Sequence, residues 1–500
     1  MCYNIDIMEN DESQIEGDVE EVSKVGGNVT RNTSYYTLAL VLQKVVSFTY
    51  FTLLARNLGA ENLGKYYFAI SFVTIFSIIM DFGLVSVLTR EVAKDKLAAK
   101  DLLGTVIAIK LPLTILALLC IFIGAQLAGY GEEVKILIYL SAIGAALDSF
   151  TVNFYGVVRG FHNLFFESIS AVIFQIIVMA GGLVYYYFGF SLTFIFSSLL
   201  MASIFNFIYS FFVVRRKIGI KIKLNFNQEL AKKIILIALP FGIFAVFQRV
   251  YTYLDTVLLE HFAGNAYVGY YQISFKIIFA LQFLPGAFIA SLYPAMSNYW
   301  VSNRQQLAIS FEKAVIYLAI ISLPISLGVY ALADKIILLF KSGYSEAIFP
   351  MQITILATLF IFISFPIGAL LNACDRQKQN TLMMIIITII GVGLNLILIP
   401  VYKAVGASTT VLITNILMTA LGFYFARKII KINWSKISLA FGKSFLAAAL
   451  MAIAAFYLKT KFSIIIVVPL AGLFYLALIL LFKTIKRDEI NHVWHSFVKK

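Results

Sequence analysis

Fourteen runs of mostly apolar residues follow one another from residue 34 almost to the end of the chain. They span roughly 34–56, 65–89, 104–128, 134–158, 164–187, 190–214, 234–261, 266–298, 314–340, 347–373, 380–402, 404–426, 436–458 and 462–483. Each is close to the ~20 residues that an α-helix needs to cross a hydrocarbon core about 30 Å thick. The runs are continuous instead of alternating, which excludes a β-barrel. The pattern predicts an all-α polytopic membrane protein of about fourteen transmembrane helices.

Composition agrees. Of 500 residues, 61% are hydrophobic and 13% are charged, whereas soluble domains carry about 25% charged residues. Residues 1–30 are acidic and polar, without the basic and short apolar regions of a signal peptide, and are expected to form a disordered cytoplasmic tail. Cys2, Cys120 and Cys374 lie far apart and specify neither a disulfide framework nor a metal site. His492 and His495 read as part of a solvated tail. The sequons at Asn28, Asn32 and Asn433 fall on the side assigned to the cytoplasm, so they are expected to stay unmodified. There is no phosphate-cradling GxxxxGK[ST] loop and no metal-ligand cluster, and the interhelical loops are at most about 20 residues long. No catalytic residue, metal or cofactor is expected, and an enzyme such as a membrane glycosyltransferase is disfavoured.

Lys and Arg are retained preferentially in cytoplasmic loops. With both termini inside, the tails and inner loops hold 27 of the 40, and the outer loops hold eight: Arg56, Lys65, Lys135, Lys335, Lys341, Lys403, Lys459 and Lys461. This asymmetry also absorbs most of the +14 net charge, which removes the case for a nucleic-acid partner. The densest inner segment, 215–233 ("RRKIGIKIKLNFNQELAKK"), links spans six and seven, and contact with anionic headgroups accounts for it.

Residues 41–66 align without gaps on 246–271. Gln43 pairs with Gln248, Leu53 with Leu258, Gly59 with Gly264, Gly64 with Gly269 and Tyr66 with Tyr271, and Lys44 stands opposite Arg249. Apolar helices can match by composition, but a paired Gln followed by a cation is hard to obtain that way. Six spans separate the copies, and an even number preserves orientation. The halves are thus expected to be parallel repeats, with a substrate site at their interface near the midplane. The segments become a tail (1–30), a first six-helix lobe (31–214), a basic linker (215–233), a second six-helix lobe (234–430), two further helices (431–485) and a tail (486–500).

Span two ends "DFGLVSVLTREVAK" (81–94), spans four and five are joined by "VVRGFHNLFFE" (157–167), and span seven opens "ALPFG" (238–242). Further on stand "LYPAMSNYW", "LPISLGVYALADKIILLFKSGYSEA", "LLNACDRQK" and "NLILIPVYKAVGAS". In order and spacing these resemble the oligosaccharide flippases, or Wzx-type polysaccharide biosynthesis proteins, of the multidrug/oligosaccharidyl-lipid/polysaccharide exporter superfamily. Lys403 departs from the glycine frequent in the family. The resemblance implies two six-helix lobes in a V, two extra C-terminal helices, a plasma-membrane location and movement of a lipid-linked oligosaccharide from the cytoplasmic to the outer leaflet. It also implies membrane lipids and polysaccharide assembly proteins as partners of a monomer. A multidrug exporter of the same fold is the alternative.

A cation at mid-membrane costs roughly 3 kcal/mol, so such residues face a cavity or a partner. Five basic residues fall inside spans. Lys110 and Lys443 lie within a turn or two of a cytoplasmic end, where snorkelling is the simpler reading. Lys44 and Lys276 each lie about 18 Å from an outer end, at 1.5 Å per residue, and Arg249 matches Lys44 in the repeat. Asp255 is six residues from Arg249, too far for a same-face pair. Two readings stand. Lys44, Arg249 and Lys276 bind the phosphate of a polyprenyl carrier, or they belong to an interhelical ion-pair network with Asp81, Asp148 and Asp255. Gln43, Gln248, Asn153, Gln175 and Gln272 could hydrogen-bond sugar hydroxyls or bridge helices.

Overall fold

The computed structural model describes residues 37–484. The expected tails, with Cys2, Asn28, Asn32, His492 and His495, lie outside the described residues. The helices are α1 (Thr37–Asp81 in its described part), α2 (Leu84–Lys94), α3 (Ala99–Leu127), α4 (Glu132–Gly160), α5 (Phe165–Tyr187), α6 (Leu192–Phe212), α7 (Gln228–Ala263), α8 (Asn265–Leu281), α9 (Phe283–Ser302), α10 (Arg304–Leu338), α11 (Ile348–Ala373), α12 (Gln377–Ala426), α13 (Trp434–Leu458) and α14 (Ile464–Leu481). No strand occurs among the described residues. All-helical spans are what a bilayer demands, because each helix satisfies its own backbone polar groups.

Among the described residues, twelve helical segments are long and apolar enough to cross a membrane. Two of them, α1 and α12, each turn at one non-helical residue: Gly59 (φ 75°, ψ 170°) and Lys403 (φ 51°, ψ −126°). Dividing each at its turn yields the fourteen crossings that the apolar pattern predicts. Gly264, between α7 and α8, has φ 88° and ψ 172°, so the two repeat glycines share one backbone conformation, a region essentially restricted to glycine. The expected second span, 65–89, is not one helix. It breaks between α1 and α2, where Phe82 has φ 40° and Gly83 φ 83°. The matching span of the second repeat also breaks, at Gln282 between α8 and α9.

The chain folds into two compact units. Among the described residues, the first comprises 37–50 and Phe76–Ala245, and the second comprises Phe51–Ile75 and 246–484. The core of the first gathers Leu88, Val106, Phe154, Val158, Val214 and Ile234. Its quoted motifs have packing reasons. A Cβ on Gly83 would come 3.0 Å from the Ala238 carbonyl, and one on Gly242 would stand 2.6 Å from the Phe82 ring, so the "DFG" corner beds on "ALPFG". Gly160 lies against Val92, while Arg159 grips Glu167 through two hydrogen bonds of 2.6 and 2.8 Å.

The second unit is built around Phe311, Leu323, Ile363, Leu370, Met383 and Met451. Segment 51–75 joins it through the buried Tyr344, whose hydroxyl donates to the Ala55 carbonyl at 2.8 Å. A Cβ on Gly64 would stand 1.8 Å from the Asn265 carbonyl oxygen, and one on Gly269 would stand 1.9 Å from that of Ala60. The gapless repeat alignment pairs Ala60 with Asn265 and Gly64 with Gly269. The contact is therefore reciprocal, as a local two-fold relation between repeats requires.

Candidate functional site

The second unit contains a cavity of about 520 Å³ walled by α7, α8, α11 and α12. One stretch of α7, Gln248–Asp255, lines it with Gln248, Arg249, Tyr251 and Asp255. Gln248 and Arg249 are exposed, while Asp255 is buried, only 4% exposed. The stretch lies deep in the apolar sequence, where a cation is expected to face a cavity or a partner, and Arg249 borders the cavity.

Asp255 is not its counter-ion. The carboxylate accepts hydrogen bonds from the Tyr271 hydroxyl of α8, from the Thr256 backbone N–H at 2.6 Å and from the Thr256 hydroxyl at 3.2 Å. Gln272 in turn donates to Thr256 Oγ1 at 3.2 Å. Of the glutamines expected to bind sugar or bridge helices, this one bridges α7 and α8. On α12 the walls are polar but uncharged. Asn415 donates to the Tyr251 hydroxyl at 3.1 Å, and Thr414 Oγ1 lies 3.1 Å from the same oxygen.

The other cations have separate surroundings. Lys276 stands over the Tyr67 ring, 4.1 Å from its centroid, away from the walls of this cavity. Lys44 is half-buried on the part of α1 that belongs to the first unit, beside the half-buried Gln43. The snorkelling expectation fails for Lys110. Its side chain is 0% exposed and its Nζ lies 3.0 Å from Asp81 Oδ1. The broken end of α1 brings Asp81 to it, and Asn153 Nδ2 also donates to that oxygen at 3.4 Å. Asp81 thus pairs with Lys110, a cation outside the network reading, which was built on Lys44, Arg249 and Lys276. Asp148 accepts from Ser203 at 3.0 Å. Lys443 donates to the Phe482 carbonyl at 2.9 Å, where it caps the end of α14.

The charge pattern missed the uncharged part of the cavity wall: Tyr251, Asn395, Thr410 and Asn415. Side-chain amides on two successive apolar spans, Asn395 and Asn415, were the available signal.

A family model described as "Polysaccharide biosynthesis protein" matches residues 29–300, more than half of the chain. The chain belongs to the polysaccharide biosynthesis protein family. A second model, MatE, matches residues 240–401 of this family member. An uncharacterised membrane protein of Methanocaldococcus jannaschii is 23% identical over 80% of this chain and 84% of its own length. The capsular polysaccharide biosynthesis protein CapF of Staphylococcus aureus is 21% identical over 80% and 100%. A "probable low-salt glycan biosynthesis flippase", Agl15 of Haloferax volcanii, is 19% identical over 81% and 85%. Among solved structures, the lipid II flippase MurJ in an inward closed conformation shares the fold, with a TM-score of 0.72 at 16% identity over 93% of this chain and 99% of that one. An inward-facing multidrug MATE transporter of the MOP superfamily gives 0.60 at 16% identity over 77% and 94%. The polysaccharide biosynthesis protein thus has the MOP superfamily fold.

Proposed function

We propose that this protein moves a lipid-linked oligosaccharide from the cytoplasmic to the outer leaflet of the plasma membrane for assembly of a surface glycan. Membership in the polysaccharide biosynthesis family supports this reading, together with the similarity to Agl15, a probable flippase, and the fold shared with the lipid II flippase MurJ. The observation that carries it in the molecule is Arg249, an exposed guanidinium at mid-span on the wall of the cavity. A planar cation with a fork of donors suits the phosphate of a polyprenyl carrier, the one constant anionic part of such substrates. Lys276, over the Tyr67 ring, and Lys44, in the first unit, are further cations for the carrier phosphate at other points of its movement. Gln43, Gln248, Asp148 and Asp255 serve as polar groups along the path.

The protein acts as a transporter without a catalytic centre or cofactor, as a monomer with both termini in the cytoplasm, in company with the polysaccharide assembly machinery. The second reading, export of cationic drugs, draws on the MatE match. It is disfavoured because the cavity's carboxylate, Asp255, is already taken up by Tyr271 and Thr256. Deletion of the gene is expected to strand lipid-linked oligosaccharide in the cytoplasmic leaflet and to strip the corresponding surface glycan. Normal surface glycan in a deletion strain that lacks any second flippase contradicts the proposal, and drug hypersensitivity with intact glycan favours the exporter.

A further inference from the structure

Within the first unit, the segment that joins α6 to α7 is tied down along its length. One π-helical turn, Val213–Lys217, ends α6, and the chain then runs without regular secondary structure to the start of α7 at Gln228. Every second side chain meets protein: Ile220 is buried and Ile218 and Ile222 are half-buried against the first unit's core, while Lys217, Lys221 and Lys223 are exposed. Alternation of this kind gives the segment one apolar and one basic face. Its depth is fixed by α3. Thr105 Oγ1 donates to the Asn225 carbonyl at 3.1 Å, and Asn225 Nδ2 donates to Asp101 Oδ1 at 3.3 Å. A Cβ on Gly104 would stand 2.5 Å from the Lys223 carbonyl oxygen, so glycine permits this approach. Asp101 is the last charged residue before the apolar run 102–109 of α3, which puts residues 223–225 at the level where the hydrocarbon begins. At that level Leu224 and Phe226 are 66% and 64% exposed. At the end of α6 the Arg216 guanidinium likewise lies over the ring of an exposed aromatic, Phe212, 5.2 Å from its centroid.

Residues 215–233 hold seven Lys and Arg and one acidic residue, Glu229. Charge alone draws such a segment toward anionic headgroups without fixing its depth. Two bare apolar tips beside a basic row, at the edge of the hydrocarbon, fit the lipid boundary itself. There Phe and Leu enter the zone between headgroups and acyl chains, while Lys and Arg meet the phosphates. We infer that the α6–α7 linker is an interfacial anchor for anionic phospholipid. Leu224 and Phe226 insert into the cytoplasmic leaflet, and Lys217, Lys221 and Lys223 hold its headgroup phosphates, so that the cytoplasmic end of the first unit is pinned to the leaflet. The inference rests on the cytoplasmic placement of the linker and is independent of which lipid-linked molecule the protein moves.

The test uses the full-length protein in lipid nanodiscs, with a fluorophore attached to Phe226→Cys or, separately, to Lys221→Cys. Both positions are exposed, so neither substitution disturbs buried packing. Wild-type protein treated with the same reagent supplies the background from Cys2, Cys120 and Cys374. Quenching by a lipid that carries a spin label at the top of its acyl chain is compared with quenching by aqueous acrylamide, in phosphatidylcholine alone and in phosphatidylcholine mixed with phosphatidylglycerol. In the mixed membrane, acrylamide should quench the Phe226 label roughly threefold less than the Lys221 label, and the spin-labelled lipid should quench the Phe226 label roughly threefold more than it does in phosphatidylcholine alone. Lys217→Gln, Lys221→Gln and Lys223→Gln together should abolish the gain from phosphatidylglycerol while the protein melts as the wild type does. The anchor is overturned if acrylamide reaches the Phe226 label as readily as the Lys221 label, or if lipid quenching is the same with and without phosphatidylglycerol or the triple variant. A Phe226 label open to acrylamide in nanodiscs but shielded in native membranes also overturns it and assigns the apolar tips to a cytoplasmic protein.

Discussion

Replacing Lys110 with methionine removes a charge from a side chain that is 0% exposed, and keeps most of its methylene packing. Asp81, 3.0 Å away, then loses its cation and retains one long hydrogen bond, from Asn153 at 3.4 Å. Breaking a buried pair from one side costs about 3–5 kcal/mol, because the remaining charge is uncompensated. The Asp81 side chain is 24% exposed, which places the expectation at the lower end, about 3 kcal/mol. At ~2–4 °C per kcal/mol for a body of this size, the melting temperature should fall by about 6–12 °C. Asp81→Asn added to Lys110→Met removes the stranded carboxylate and should recover most of that loss, as coupled sites do. The assay is thermal melting of the detergent-solubilised protein, followed by fluorescence-detected gel filtration. A Lys110→Met variant that melts like the wild type, or a double variant whose loss is the sum of the two single losses, refutes the pairing. The first result would restore the picture of a lysine reaching to the membrane surface.

Gly64→Ala and Gly269→Ala each drive a methyl group to within 2 Å of a carbonyl oxygen, so both should deplete folded protein in gel filtration far more than Gly59→Ala. At Gly59 the added carbon meets open space and the cost is only that of the backbone at φ 75° and ψ 170°, about 1–3 kcal/mol. Tyr344→Phe gives up a buried hydrogen bond to Ala55 and should cost about 1 kcal/mol, read as a melting shift of a few degrees. Glu91, in α2 outside the spanning segments, is held below the usual carboxylate range by the hydrogen bond from Lys94 and by the charges of Lys94, Arg90 and Lys233, against the opposing effect of burial. Its stabilising contribution is therefore present above the unfolded-state pKa of about 4.3 and disappears as pH falls through the lower folded value. Glu91→Gln should flatten the acid side of the melting-versus-pH curve, and an unchanged slope contradicts the assignment. A cysteine at Lys221, exposed on the basic linker, should react with an impermeant maleimide only after cells are opened. Labelling in intact cells reverses the topology.

Much of the fold was legible because hydrophobic length is a physical requirement of the bilayer and survives without any tertiary information. The fourteen runs map onto helices, and the repeat alignment anticipates the matching backbone at Gly59 and Gly264. Lys110 was misjudged because distance from a helix end allows snorkelling but does not reveal that a break at Phe82–Gly83 delivers Asp81 to the same depth. A break inside an apolar run has no hydrophobic signature. The fate of Asp255 was equally hidden. Its partner across the Gly264 turn, Tyr271, sits sixteen residues on and reads as an ordinary interfacial residue. Arg249 could be recognised as costly from its position alone, but the company it keeps on α12 required packing to be known.

The most direct measurement of the central claim is flipping by the purified protein in proteoliposomes. Lipid-linked oligosaccharide is placed in the inner leaflet, and its appearance outside is read by cleavage with an added glycosidase. The wild type should expose the lipid with time, and the Lys44→Gln, Arg249→Gln double variant should lose most of that rate while melting within a few degrees of the wild type. Full flipping by the double variant contradicts the role of these cations, and no flipping by the wild type above protein-free vesicles contradicts the account as a whole.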